Sequence, residues 1–237
     1  MKLTITSIIL FIIFTGFTND INKLKGDQNA VKLVERMLET IGGKETWKNA
    51  RVIRTELRGY YAREQEPWYE IFWMDLESPN GRFVLDRPDS RQVITWTSES
   101  GWDFSNNKLA EMDSARFAFE LEYWKRQPVV IFHRLAVNKP STRVEMGSNE
   151  FRFDVFDNES GELLAQFAVN MKGEPIKWGS SIGEREFEHI FGPLEEFNNI
   201  RMPGWGATIS GIWRYEHKSI TLMKDTPNVL FDPPSAN

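Results

Sequence analysis

The stretch VITWTSESGWDF, Val93 to Phe104, sets two short apolar runs around a polar turn. Taken as a hairpin with a five-residue loop from Thr97 to Gly101, it places Trp96 opposite Trp102 and Ile94 opposite Phe104. Strand side chains alternate, so this register puts all four large apolar groups on one face. Such a face is either core or the wall of a cavity that holds an apolar ligand.

The neighbouring sequence extends the same pattern. RVIRTELRGYYA alternates, and WYEIFWMD is apolar on both faces, with Trp68, Phe72 and Met74 on one and Tyr69, Ile71 and Trp73 on the other. Pro79-Asn80-Gly81 and Pro88-Asp89-Ser90 are turns around the short strand RFVLD. Consecutive strands with short links predict an antiparallel meander. Before it, Val31, Val34, Leu38 and Ile41 define an amphipathic helix, with Asp27 as N-cap and Gly42-Gly43 as its stop. After it, Phe117, Leu121 and Trp124 have helical spacing behind a capping Ser114, and Pro128 opens a second helix to about Ala136. Residues 108–136 thus form a helical insert. Strands return after Pro140, and ATISGIWRYEHKSITLM is one long strand or two. There is no repeat and no linker, so residues 27–237 are expected to form one domain.

The first 18 residues read as a cleavable signal peptide: Lys2 precedes an apolar run from Ile8 to Phe17, too short to span a membrane comfortably. The chain contains no cysteine, which excludes a lipoprotein anchor, a disulfide framework and thiolate chemistry. A soluble protein exported to the periplasm or medium is expected. The net charge is −5, and −6 without Lys2, and the basic residues are scattered among acids, so a nucleic-acid partner is excluded.

His133, His189 and His217 lack ligand spacing and read as packed or surface side chains, so neither a metal nor another cofactor is expected. There is no serine-nucleophile elbow and no phosphate loop. Glu184, Glu186 and Glu188 share one strand face and supply a candidate glycosidase pair, but that pattern equally fits an ordinary solvated face opposite Phe187, His189 and Phe191. Nine tryptophans exceed what packing alone requires. They fit either a greasy concavity or an aromatic platform for carbohydrate or scaffold binding.

The stretch ESPNGRFVLDRPDSRQVITWTSESGWDFSN resembles the LolA-like periplasmic lipoprotein carriers: Pro79-Asn80 matches their turn, VITWTS their second strand, and Trp102-x-Phe104 their W-x-[YF] signature. The element order agrees. The resemblance implies an α+β fold, a strongly curved antiparallel sheet forming an unclosed barrel, with helices packed into its concave side as a lid. It implies binding of a lipid or acylated lipoprotein without covalent chemistry, by a monomer that exchanges cargo with membrane donor and acceptor proteins. Ile94, Trp96, Trp102 and Phe104 would face inward, covered by Phe117, Leu121 and Trp124. In the lipoprotein carriers an interior arginine after the Pro-Asn turn latches the lid. Phe83 occupies that position here, beside Arg82 on the opposite face.

Overall fold

The computed structural model describes residues 23–64, 66–227 and 229–234. The expected signal peptide lies outside the described residues. Strand β1 (Lys25–Gly26) precedes helices α1 (Gln28–Thr40) and α2 (Lys44–Lys48). Six strands follow: β2 (Val52–Tyr61), β3 (Trp68–Asp75), β4 (Gly81–Arg87), β5 (Ser90–Trp96), β6 (Gly101–Ser105) and β7 (Lys108–Glu111). Helices α3 (Ser114–Arg126) and α4 (Pro128–Ala136) come next. The chain then forms β8 (Thr142–Met146), β9 (Arg152–Asp157), β10 (Leu163–Val169), β11 (Pro175–Ile182) and β12 (Arg185–Phe191). It ends with β13 (Leu194–Phe197), β14 (Ile200–Pro203), β15 (Trp205–Thr208) and β16 (Trp213–Met223).

Fourteen strands form one sheet in the order β1-β8-β9-β10-β11-β12-β15-β16-β2-β3-β4-β5-β6-β7, while β13 and β14 form a separate hairpin. Among the described residues only the β1–β8 pair is parallel. The edge strands β1 and β7 do not pair, so the barrel stays open. The α+β class and the unclosed, mostly antiparallel sheet are as the sequence led us to expect. The ATISGIWRYEHKSITLM segment divides into β15 and β16.

The helices begin and end where local chemistry dictates. Asp27 accepts hydrogen bonds from the Asn29 and Ala30 amides, and α1 buries Ala30, Leu33, Val34, Met37 and Leu38. Its stop uses Gly42 and Gly43, whose φ values of 116° and 85° suit glycine alone. Asp113, not Ser114, caps α3 through the Arg116 amide. Pro128 opens α4, which is buried from Val129 to Ala136, including His133 and Arg134 in its last turn. It belongs to the core and is no movable cover. The insert expected over 108–136 therefore divides three ways: an edge strand, the partly exposed helix α3, and the buried helix α4.

The register of the Val93–Phe104 hairpin differs from the sequence expectation by one residue. The loop is Thr97 to Ser100, so Trp96 pairs with Gly101, Thr95 with Trp102 and Val93 with Phe104. The turn is closed by the Thr97 amide donating to the Ser100 carbonyl, and the Thr97 hydroxyl accepts from the Glu99 and Ser100 amides. A one-residue slip reverses every side chain. Ile94 and Trp96 face the concave side, and Trp102 and Phe104 face the convex side. The glycines set this register. A Cβ on Gly81 would lie 2.1 Å from the Trp96 ring, and one on Gly101 would lie 2.7 Å from Met112 Sδ. The Trp96 indole lies against the bare backbone of its neighbour strand, a place that a facing tryptophan would block.

Candidate functional site

Side chains on the concave face form rows across the sheet. One row runs Ile220, Thr55, Phe72, Phe83, Ile94 and Asp103, and the next runs His217, Leu57, Glu70, Leu85 and Gln92. Ile220, Thr55, Phe72 and Phe83 of the first row and His217, Leu57 and Glu70 of the second, together with β11, β12, β14 and the helices, line a cavity with a free volume of about 110 Å³. That is room for several water-sized groups at roughly 10–15 Å³ each. Its apolar wall includes Ile53, Phe72, Met74, Phe83, Val129, Phe132 and Ile220.

The rest of the wall is aromatic and polar. The His189 ring meets Trp178 edge-on at 5.3 Å and Trp213 at 5.1 Å. The belt continues through Tyr215 to His217, each step with centroids 5.0 Å apart. Trp68 stacks behind Trp213 at 6.4 Å. Gly59 and Gly206 provide flat seats for this belt: a Cβ on either would lie 2.1 Å from Trp68 or 2.4 Å from Tyr215.

The polar groups here are not satisfied as buried groups usually are. The indole N–H groups of Trp68, Trp178 and Trp213 are enclosed without a hydrogen-bond partner of normal geometry. Trp68 is turned towards Glu70 and holds its carboxylate down slightly, but burial prevails and pushes that carboxyl up to about 7. Burial pushes the His189 and His217 imidazoles down to about 4, although His217 Nδ1 lies 2.7 Å from the Pro203 carbonyl. Burial lifts the Tyr123 phenol to about 12, and Glu70 and Glu120 add to that. At neutral pH both histidines are uncharged. Among the described residues that line the cavity there is no lysine or arginine.

Two solved structures share this architecture. A LolA superfamily protein from Nitrosomonas europaea superposes with a TM-score of 0.51 at 12% identity, covering 85% of this chain and 96% of that one. The fold is LolA-like. A DUF1329 family protein from Desulfovibrio piger gives a TM-score of 0.53 at 8% identity, covering 86% of this chain and 95% of that one. No protein-family model and no curated protein matches the sequence.

Phe83 faces the concavity, stacked against Trp96 at 5.3 Å and near Phe72 at 5.6 Å. Arg82 lies on the convex face, where its guanidinium approaches the Leu230 carbonyl at 3.4 Å. The cover is held by other contacts. Phe117 and Leu121 pack on Ile94, Trp96 and Met112. Arg116 pairs with Asp103 at 3.1 Å. Trp124 is buried and donates its indole N–H to the Asp75 carbonyl at 2.7 Å.

Of the eight residues singled out in the sequence, Phe83, Ile94, Trp96, Phe117 and Leu121 come together. Trp124 anchors the far end of α3. Trp102 and Phe104 lie on the other side of the sheet. Glu70, Tyr123, Trp178, His189, Trp213, Tyr215 and His217 were missed. Two signals pointed to them: Glu70 is a lone acid on the apolar Trp68-Phe72-Met74 face, and Trp213, Tyr215 and His217 alternate on one strand face. Glu186 and Glu188 are exposed on β12, and Glu188 pairs with Lys177 at 2.7 Å, which is an ordinary solvated strand face.

Proposed function

We propose that this protein is an exported carrier that shelters the apolar chain of a lipid or an acylated lipoprotein between the concave face of the sheet and helix α3. The observation that carries this reading is the apolar cavity beside α3, walled by Phe72, Phe83 and Ile53, floored by Phe132 and covered by Tyr123. Burial of each methylene contributes roughly 0.8 kcal/mol, so a chain needs several sheltered groups to offset the cost of association. The free volume already present accepts part of a chain, and outward movement of α3 lengthens the space. Helix α4 stays in place as floor. Phe83 contacts the chain in the free space, Ile94, Trp96, Phe117 and Leu121, packed beside it, join the contact once α3 moves outward, and Trp124 is the hinge-side anchor. The assignment needs no cofactor and no covalent step. Among the described residues no helix is long and apolar enough to cross a membrane, in keeping with a carrier that meets membranes through partners.

The tryptophan-platform alternative has less support, because none of the nine tryptophans is exposed. The test is native mass spectrometry of protein purified from a membrane-containing lysate, followed by reloading with long-chain acyl lipid. Lipid-mass adducts are expected for the parent and for Trp102→Glu, whose side chain lies on the convex face. Phe83→Glu, with its circular dichroism unchanged, is expected to lose them. A bare spectrum combined with no uptake of added lipid overturns the carrier reading.

A further inference from the structure

Among the described residues that line the cavity, Glu70 is the one acid, and no base balances it. It stands in the concave row between Leu57 and Leu85 of the neighbouring strands, with Trp68 and Phe72 beside it on its own. It keeps some accessible surface and forms no ion pair with a described residue. Burial nevertheless dominates at its carboxyl, so that surface opens to the cavity and not to bulk water. The groups that act on Glu70 include no cation.

The surroundings suit a positive charge. Tyr123 of α3 lies close enough to feel the Glu70 charge, and its hydroxyl meets Gln127, which also lines the cavity. Carboxylate, phenol and amide each offer an oxygen that accepts a hydrogen bond. Trp213 and Tyr215 stand in the same wall, and aromatic rings attract cations through their faces. An anionic head would meet Glu70 with no lysine or arginine to offset it. A primary ammonium brings the opposite charge and three donors. A buried charge costs least when it is both paired and hydrogen-bonded.

We propose that Glu70 is the counter-ion for a primary ammonium group carried by the apolar ligand, so that the cavity takes amine-bearing lipids in preference to neutral or anionic ones. This inference rests on the carrier reading and names the ligand class for it.

The test is titration calorimetry at pH 8 with decylamine, decanol and decanoate on the parent, Glu70→Gln and Glu188→Gln. Glu188 is exposed on the convex face and controls for general attraction of a cation to a chain of net charge −5. The parent and Glu188→Gln are expected to bind decylamine about tenfold more tightly than decanol, the worth of one hydrogen bond between charged groups. Glu70→Gln is expected to lose that preference and keep its affinity for decanol. A second readout needs no variant. At pH 6 the Glu70 carboxyl holds a proton that the ammonium must displace, because its folded value is about 7. Decylamine should therefore bind the parent about tenfold more weakly at pH 6 than at pH 8 and release close to one proton to the buffer, while decanol changes little. The other titratable groups of the wall keep their state over this range, with His189 and His217 neutral and Tyr123 and Tyr215 protonated. Decylamine binding no more tightly than decanol overturns the inference and leaves the carrier reading standing. Decanoate binding most tightly, a preference that survives in Glu70→Gln, or no proton release at pH 6 does the same. Binding of none of the three ligands overturns the carrier reading and the inference together.

Discussion

Two aromatic regions of this molecule are alike in composition and opposite in how their polar atoms are satisfied. Where α1, α2 and α4 meet β8–β11, Trp47, Phe132, Phe153 and Phe167 interlock, with ring centroids 5.3 to 5.5 Å apart. There the Trp47 indole donates to the Ile41 carbonyl at 3.1 Å, and His133 Nδ1 lies 2.9 Å from the Trp47 carbonyl. Where β11, β12 and β16 meet, Trp178, His189 and Trp213 pack equally closely, but the Trp178 and Trp213 N–H groups find nothing within the described residues. Aromatic content does not separate a core from a site. The separating feature is whether the polar atoms carried by those rings are satisfied internally.

The largest effect that sharpens this contrast is truncation. Phe167→Ala is expected to cost ~3–5 kcal/mol, as for a fully packed aromatic. Phe83→Ala should cost at most half as much, because one side of that ring already faces free space. Urea denaturation of both variants measures this, and equal losses would mean that the cavity wall is packed as densely as the core.

The next effect is the pH dependence of stability. His189 and His217 have folded values of about 4, below the ordinary value of 6.5. Below pH 6.5 the unfolded chain therefore takes up protons that the folded chain refuses. Their contribution is complete above pH 6.5 and is lost as pH falls towards 4, at about 1.4 kcal/mol per pH unit per group. Glu70 has the opposite sign. Its folded value of about 7 lies above the ordinary 4.5, so its contribution is lost as pH rises from 4.5 to 7. With two histidines against one carboxyl, stability should rise from pH 4 to 6.5. Denaturation midpoints across that range should show a shallower rise for His189→Phe and a steeper one for Glu70→Gln.

A smaller effect isolates the two histidine environments. His133→Phe removes a ring nitrogen bound to the Trp47 carbonyl and should destabilise by roughly 0.5–1.5 kcal/mol, the net value of one hydrogen bond, because the Ala50 amide at 3.3 Å still donates to that oxygen. His189→Phe removes a nitrogen that satisfies nothing, and should change the unliganded protein by less than ~0.5 kcal/mol or stabilise it. Equal losses at pH 8 would show that His189 has a hidden structural partner.

Much of the fold was legible in the sequence because its signals are local. The Asp27 cap, the Gly42-Gly43 stop, Pro128 at the start of α4 and the strand alternations all act within a few residues. The cavity was legible only as an excess of aromatics. Its register could not be read by counting back from the turn, because one residue decides the face, and the choice rests on contacts between strands. Trp96 needs Gly81 and Gly101 beside it, and Gly81 lies outside the hairpin. The polar corner was less legible still. Trp178 and His189 sit on β11 and β12, Trp213 on β16, and only sheet closure around β15 brings them together.

The weakest expected effect concerns the cover itself. Arg116 and Asp103 are 39% and 18% exposed, and such a pair contributes at most about 1 kcal/mol to global stability. Its removal should matter locally. The other end of α3 is held by Trp124 through Asp75 and by Arg126, which pairs with Glu122 at 2.7 Å and with Glu162. Arg116→Ala therefore frees one end of the helix and leaves the other pinned. Asp103 keeps its 2.6 Å bond from Gln92, and Glu120, which Arg116 also approaches at 3.8 Å, keeps the attraction of Arg185. Amide hydrogen exchange across residues 114–121 should speed several-fold, exchange across 128–136 should stay unchanged, and the urea midpoint should barely move. If both helices exchanged faster together, α3 and α4 would open as one unit and the division between moving cover and fixed floor would fail.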